Sequence, residues 1–233
     1  MGVAYSRAGE FEAADDAWRQ SAALAPGNPL PMFAMGNSLM QRRQTDDALA
    51  AFAKALEAEP RHVESMLAQG RIYASMADYD TAIEHFEKVL TIVERHPAAY
   101  LNIALVEQQR GDSIAAQRAY QETLEINQAQ PLAHNNLAWL LAAEPDNLNA
   151  ALRHALTATE LQPRFAPYWD TLAWIQHLGG DDDLALGSLE KALQLPGAAS
   201  NVSLYEHLAA VQSALGNEAA AVEAKQKVKA LQR

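Results

Sequence analysis

The sequence contains no cysteine, which excludes a disulfide framework and any zinc site built on thiolates. It is also short of positive charge: 18 Lys and Arg stand against 29 Asp and Glu, a net charge of −11. Such a chain repels phosphate backbones, so nucleic acid is excluded as the expected partner. Aromatic residues make up only 7% of the 233 residues. No stretch approaches the ~20 apolar residues of a membrane-spanning helix. The opening Met1-Gly2-Val3-Ala4-Tyr5 has no basic region ahead of an apolar one, so no secretory leader is read there. Cytoplasm and periplasm both suit a cysteine-free chain.

Reactive motifs are missing as well. The seven histidines (His62, His85, His96, His134, His154, His177 and His207) include no pair four apart with the adjoining Glu of a helical zinc site. Asp181-Asp182-Asp183 lacks the alternating ligands and glycine of a calcium loop and reads as a turn and helix cap before Leu184. Gly179-Gly180 is not followed by the Gly-Lys-Ser/Thr of a phosphate loop, and no serine sits in a nucleophile elbow. No catalytic residue, cofactor site or metal site is therefore assigned, and the chain is read as a non-enzyme.

What is present is a repeat. Ala14, Ala48, Ala82 and Ala116 are spaced by 34 residues, as are Trp18, Phe52, Phe86 and Tyr120, and Gly36, Gly70, Ala104 and Ala138. Three registers with one period mean a tandem array. Each period holds two amphipathic helical patterns around a short turn. In the second unit of the array Pro31 to Gln41 pairs with Thr45 to Glu57. In the third, Met66, Gly70 and Tyr73 share one helix face, and Ala82, Ile83, Phe86, Val89 and Leu90 form the stripe of its partner. Pro97 to Arg110 then pairs with Ser113 to Asn127, Pro131 to Ala142 with Leu148 to Leu161, Ala166 to Leu178 with Asp183 to Gln194, and Asn201 to Leu215 with Asn217 to Gln232. The turn Glu144-Pro145-Asp146-Asn147 adds one residue, so the key alanine moves to Ala151, and Ala185 follows 34 later. Small residues belong where paired helices come closest.

These residues carry a family likeness. Gly36-x-x-Leu39 with Ala48-x-x-x-Phe52-x-x-Ala55-x-x-x-x-Pro60, and Gly70-x-x-Tyr73 with Ala82-x-x-x-Phe86, resemble the tetratricopeptide repeat. The likeness spans nearly the whole chain: a partial repeat over 1–28, then repeats over 29–62, 63–96, 97–130, 131–165, 166–199 and 200–233. It implies an all-α fold, a right-handed α-solenoid of antiparallel helix pairs with a concave groove, and protein or peptide binding without catalysis. Within the C-terminal half, Asn135-Asn136-Leu137-Ala138-Trp139-Leu140-Leu141, Asp170-Thr171-Leu172-Ala173-Trp174 and His207-Leu208-Ala209 look like bacterial envelope repeat proteins of exopolysaccharide export and exosortase systems. The chain begins midway through a first helix. That leads us to expect the C-terminal piece of a longer protein, and self-association through the incomplete N-terminal end.

In the resembled family the first helix of each pair lines the groove. Aligned on the small residues, the positions facing it are Asn102, Asn136 and His207 two residues before, and Asn37, Arg71, Trp139 and Trp174 one after. Asn102 and Asn136 resemble the amides that hold an extended peptide backbone in such proteins, since an amide offers both donor and acceptor. Trp139 and Trp174 occupy equivalent places in adjoining repeats, with Asp170, His177 and Asn135 nearby, and aromatic anchors beside polar groups make binding hot spots. The expected partner is a protein or extended peptide, neutral or basic rather than acidic. A polysaccharide stacking on the tryptophans is the alternative, and packing between repeats would equally occupy both indoles.

Overall fold

Alanine and leucine dominate the apolar positions, and both favour helix. The computed structural model describes residues 1–232, and the regular structure among them is entirely helical. Fourteen α-helices follow in order: α1 (Gly2–Ala8), α2 (Phe11–Leu24), α3 (Leu30–Gln41), α4 (Thr45–Ala58), α5 (Val63–Ser75), α6 (Tyr79–Ile92), α7 (Pro97–Arg110), α8 (Ser113–Ile126), α9 (Pro131–Leu141), α10 (Leu148–Leu161), α11 (Ala166–Leu178), α12 (Asp182–Leu193), α13 (Val202–Ala214) and α14 (Glu218–Leu231). Short 3-10 turns at Pro145–Asn147 and Ala198–Ser200 precede α10 and α13. No helix of the described residues is long and apolar enough to cross a membrane.

Two compact units divide the chain, Met1–Asp112 with α1–α7 and Ser113–Arg233 with α8–α14. In the first, α1/α2, α3/α4 and α5/α6 form pairs, and each pair packs on its successor. In the second, α9/α10, α11/α12 and α13/α14 do the same, with α8 beside α9. Helices joined by so few residues must run antiparallel. This is the all-α arrangement of stacked helix pairs expected of a solenoid.

The repeated residues have separable duties. Ala48, Ala82, Phe52 and Phe86 are completely buried in the first unit, and Ala138, Ala151, Ala155, Ala185 and Leu189 in the second. At the glycine sites the small residue faces an aromatic ring. A Cβ on Gly36 would lie 2.5 Å from Phe52 Cε1, and one on Gly70 would lie 2.5 Å from Phe86 Cε1. Each glycine thus makes room for the aromatic ring of its own pair.

The 34-residue step also marks the turns. Gly9, Arg43, Ala77 and Gly111 follow one another at that interval, and all adopt left-handed backbone, with φ of 80°, 59°, 60° and 90°. Two of the four lack glycine, at a cost of about 1–2 kcal/mol each.

Helix starts depart from the expected ends by one residue in places, as local capping decides. Asn201 accepts from the Leu204 N–H at 3.2 Å and starts α13. Asp78 does the same for Thr81 at 3.3 Å at the head of α6. Ser113 is already helical, so it is not the cap. Nor does the Asp181–Asp183 run cap by side chain: Asp181 makes no capping bond, and Asp182 turns back to His177.

Candidate functional site

The second unit gathers five of the candidate residues. Trp139 lies on α9, Asp170, Trp174 and His177 on α11, and His207 on α13. These three helices are the first members of successive pairs, and α11 adjoins both α9 and α13. The His207 ring stacks on Trp174 with centroids 4.4 Å apart and planes 19° from parallel. It also lies 6.2 Å from the Trp139 ring, a residue two pairs away along the chain. Packed helix axes stand about 8–10 Å apart. Side chains two pairs apart meet only where first helices converge on a common face.

Hydrogen bonds orient the imidazole. His207 Nδ1 donates to Asp170 Oδ1 at 2.8 Å, because a carboxylate accepts. Ser203 Oγ donates to Asp170 Oδ2 at 3.3 Å. Asp170 is 7% exposed, and among the described residues no Lys or Arg pairs with it. With Nδ1 committed, Nε2 is the ring nitrogen left for an incoming group. A second imidazole, His177, is hydrogen-bonded to Asp182 and lies 5.2 Å from Trp174. Trp174 is therefore flanked by two histidines, whereas Trp139 remains 43% exposed.

The amides also bond within the protein. Asn136 Nδ2 donates to Tyr120 Oη at 2.8 Å, and Asn136 Oδ1 accepts from Asn135 Nδ2 at 3.1 Å. Asn135 Oδ1 is buried without a hydrogen-bond partner among the described residues. Burial pushes the Tyr120 hydroxyl up to about 12, against the opposing pull of its bond with Asn136. Asn102 Nδ2 donates to the Ala98 carbonyl of its own helix at 2.6 Å. Both amides are thus partly engaged within the protein. Asn37 and Arg71 are exposed on α3 and α5 of the first unit, where Asn102 also lies.

Most of the remaining histidines are structural, a role not legible from their spacing. His62 Nδ1 accepts from the Ser65 N–H at 3.3 Å and caps α5, and His96 Nδ1 accepts from the Ala99 N–H at 3.2 Å and caps α7. His85 stacks on Tyr73 at 5.3 Å. His134 and His154 meet Nδ1 to Nδ1 at 2.9 Å, and His134 Nε2 donates to the Gln128 carbonyl at 3.0 Å. With both rings neutral, that leaves His134 Nδ1 as acceptor and His154 Nδ1 as donor. Burial holds His154 below the usual histidine range, and the adjacent His134 and Arg153 add to it. Two residues of the Trp139–Trp174 cluster also escaped sequence reading, Ser203 and Asp182. The 36-residue offset between Asp170 and Glu206 obscured the register in which Ser203 meets Asp170. Among the described residues no group of three or more His, Cys, Asp or Glu is placed to hold a metal.

The fold and this face are those of a helical repeat array. Residues 33–100 match the family model of the tetratricopeptide repeat. A comparison with curated proteins finds no match. Among solved structures, the chain is similar to PilF of Pseudomonas aeruginosa at 18% identity, covering 88% of this chain and 92% of that one with a TM-score of 0.75. It is similar to a tetratricopeptide repeat protein from Parabacteroides merdae at 17% identity, covering 99% and 90% with a TM-score of 0.70. It also resembles YrrB, described as a tetratricopeptide protein with an unusual peptide-binding site, at 22% identity, covering 78% and 93% with a TM-score of 0.61. Residues 33–100 thus carry tetratricopeptide repeats, and the likeness to these solved structures shows the same helical repeat fold.

Proposed function

We propose that the protein is a non-enzymatic scaffold that binds a protein or extended peptide along its first-helix face. The supporting observation is the meeting of Trp139, Trp174 and His207, drawn from three successive first helices around the carboxylate of Asp170. Aromatic anchors beside a buried polar group are what contact hot spots require. YrrB, of similar fold, is described as binding peptide, which agrees with this reading. Asn135 and Asn136 belong with this face in the second unit, while Asn37, Arg71 and Asn102 are candidate contacts of the first unit taken by itself.

Chemistry argues for binding rather than catalysis. Ser203 bonds the carboxylate of Asp170, not the imidazole Nε2 of His207. A serine nucleophile must contact the base that takes its proton, and that contact is missing here. The second reading is carbohydrate binding, or a part in assembling a bacterial exopolysaccharide exporter. It is favoured by the 43% exposure of Trp139, whose open face suits a sugar ring. It is disfavoured at Trp174, which is already flanked by His207 and His177.

The test is panning of a random peptide-display library on the full chain, followed by titration of isotope-labelled protein. Binders that shift the indole N–H signals of Trp139 and Trp174 are expected. A library yielding no binder, or binders that leave both indoles unmoved, would sink this reading. Shifts produced by maltopentaose and by no peptide would favour the carbohydrate alternative.

A further inference from the structure

We infer that the Trp139–His207–Asp170 cluster is a subsite for one cationic side chain of the partner, an arginine or a lysine. This rests on the scaffold reading above and adds the chemistry of what is recognised.

Three observations converge on it. Asp170 is 7% exposed, yet its polar partners among the described residues are the side chains of His207 and Ser203. A buried carboxylate with no Lys or Arg beside it among the described residues would draw a nearby cation to it. Next, the Trp139 ring stands 6.2 Å from His207, and the residue is 43% exposed. An indole face is the best aromatic surface for an ammonium or guanidinium group. Finally, the Asp170 bond at Nδ1 aims the Nε2 of His207 as a hydrogen-bond acceptor, which a guanidinium or ammonium N–H would meet. The net charge of −11 carries the same preference to longer range.

The protein already uses the cation–aromatic contact where its own chain supplies the cation. Lys191 Nζ sits 4.5 Å from the centroid of the Trp169 ring, on the same helix α11 as Asp170. Trp139 has no such contact among the described residues, although His207, 6.2 Å from it, binds a buried carboxylate. An acidic ligand would meet the Asp170 field with repulsion. A sugar would use the indole face but leave that field unanswered.

The test uses three capped pentapeptides, acetyl-Gly-Ser-Xaa-Ser-Gly-amide, where Xaa is arginine, citrulline or glutamate. Citrulline keeps the shape of arginine and removes its charge. They are titrated into the full chain, with tryptophan fluorescence and the Trp139 indole N–H as readouts. The arginine peptide is expected to bind at least about three-fold more tightly than the citrulline one. The glutamate peptide should be the weakest. Asp170→Asn and, separately, the surface substitution Trp139→Leu should erase the arginine preference, and circular dichroism checks that each variant is folded. Equal binding of arginine and citrulline peptides overturns the subsite, as does a preference that survives Trp139→Leu in folded protein. Fluorescence change with maltopentaose alone overturns it too. If a panned peptide still binds while the arginine preference is missing, the subsite fails and the scaffold reading stands.

Discussion

Gly70 and Phe86 are matched by subtraction: the Cβ that Gly70 lacks would lie 2.5 Å from Cε1 of the Phe86 ring. Phe86 is completely buried, so the ring has nowhere to retreat. Gly70→Ala is expected to destabilise the first unit by about 1–3 kcal/mol, the usual cost of overpacking a filled core. Gly36→Ala, against Phe52, should behave alike. Urea unfolding of each variant checks it, and midpoints equal to that of the parent would refute the packing account. The double variant Gly70→Ala/Phe86→Leu should recover part of the loss.

Ala77 shows the reverse situation. It holds φ of 60° at a turn where Gly111, one period later, holds 90°. Left-handed backbone is strained for alanine and free for glycine. Ala77→Gly should therefore stabilise the protein by roughly 1 kcal/mol, less the added entropy of the unfolded chain. Thermal unfolding gives the sign directly, and a lowered melting temperature would contradict it.

Asn136 and Tyr120 bind each other at 2.8 Å, so a substitution at Asn136 confounds binding with structure. Tyr120→Phe leaves the Asn136 side chain in place while removing its tyrosine partner. That change should cost about 1 kcal/mol of stability. Peptide affinity in Tyr120→Phe should equal or exceed that of the parent, because the Asn136 donor is released. Isothermal titration with a panned peptide measures it. A large loss of affinity would mean that the amide acts through its tyrosine bond instead.

Two half-buried histidines predict the response to acid. Burial lowers both His154 and His85 below the ordinary value of about 6.5, more than the nearby Glu84 offsets at His85. Neutral rings are thus preferred in the folded state, and the unfolded chain takes up protons first. Their contribution is complete above about pH 6.5 and is lost as pH falls through the lower folded-state values. Melting temperature should decline between pH 7 and pH 5. His154→Asn should flatten part of that decline, and an unchanged slope would show that the His134–His154 pair is not responsible.

How much was legible beforehand differs between the framework and the face. Helix pairs were readable because periodicity is local: apolar residues three and four apart specify a stripe, and Gly111, Gly180 and Gly216 mark turns through their own backbone preference. The convergence of Trp139, Trp174 and His207 was partly readable, since equivalent positions of stacked repeats must share a face. Their hydrogen bonds were not. Nothing local distinguishes Asp182, which turns to His177, from Asp181, which bonds nothing by its side chain.

The sequence by itself determined a tandem array of helix pairs, its period and the recurrence of small and aromatic residues within it; that Phe52 seats on Gly36 came from the structure. Those features depend on neighbours within one repeat. Only the tertiary structure decided which polar groups are spent and which remain open. Asn136 is held by Tyr120, and His62 and His96 cap helices. His207, by contrast, is turned by Asp170 toward a tryptophan two pairs away. The Asn136–Tyr120 and Trp139–His207 pairings join side chains 16 and 68 residues apart, where packing distance rather than spacing along the chain selects the partner.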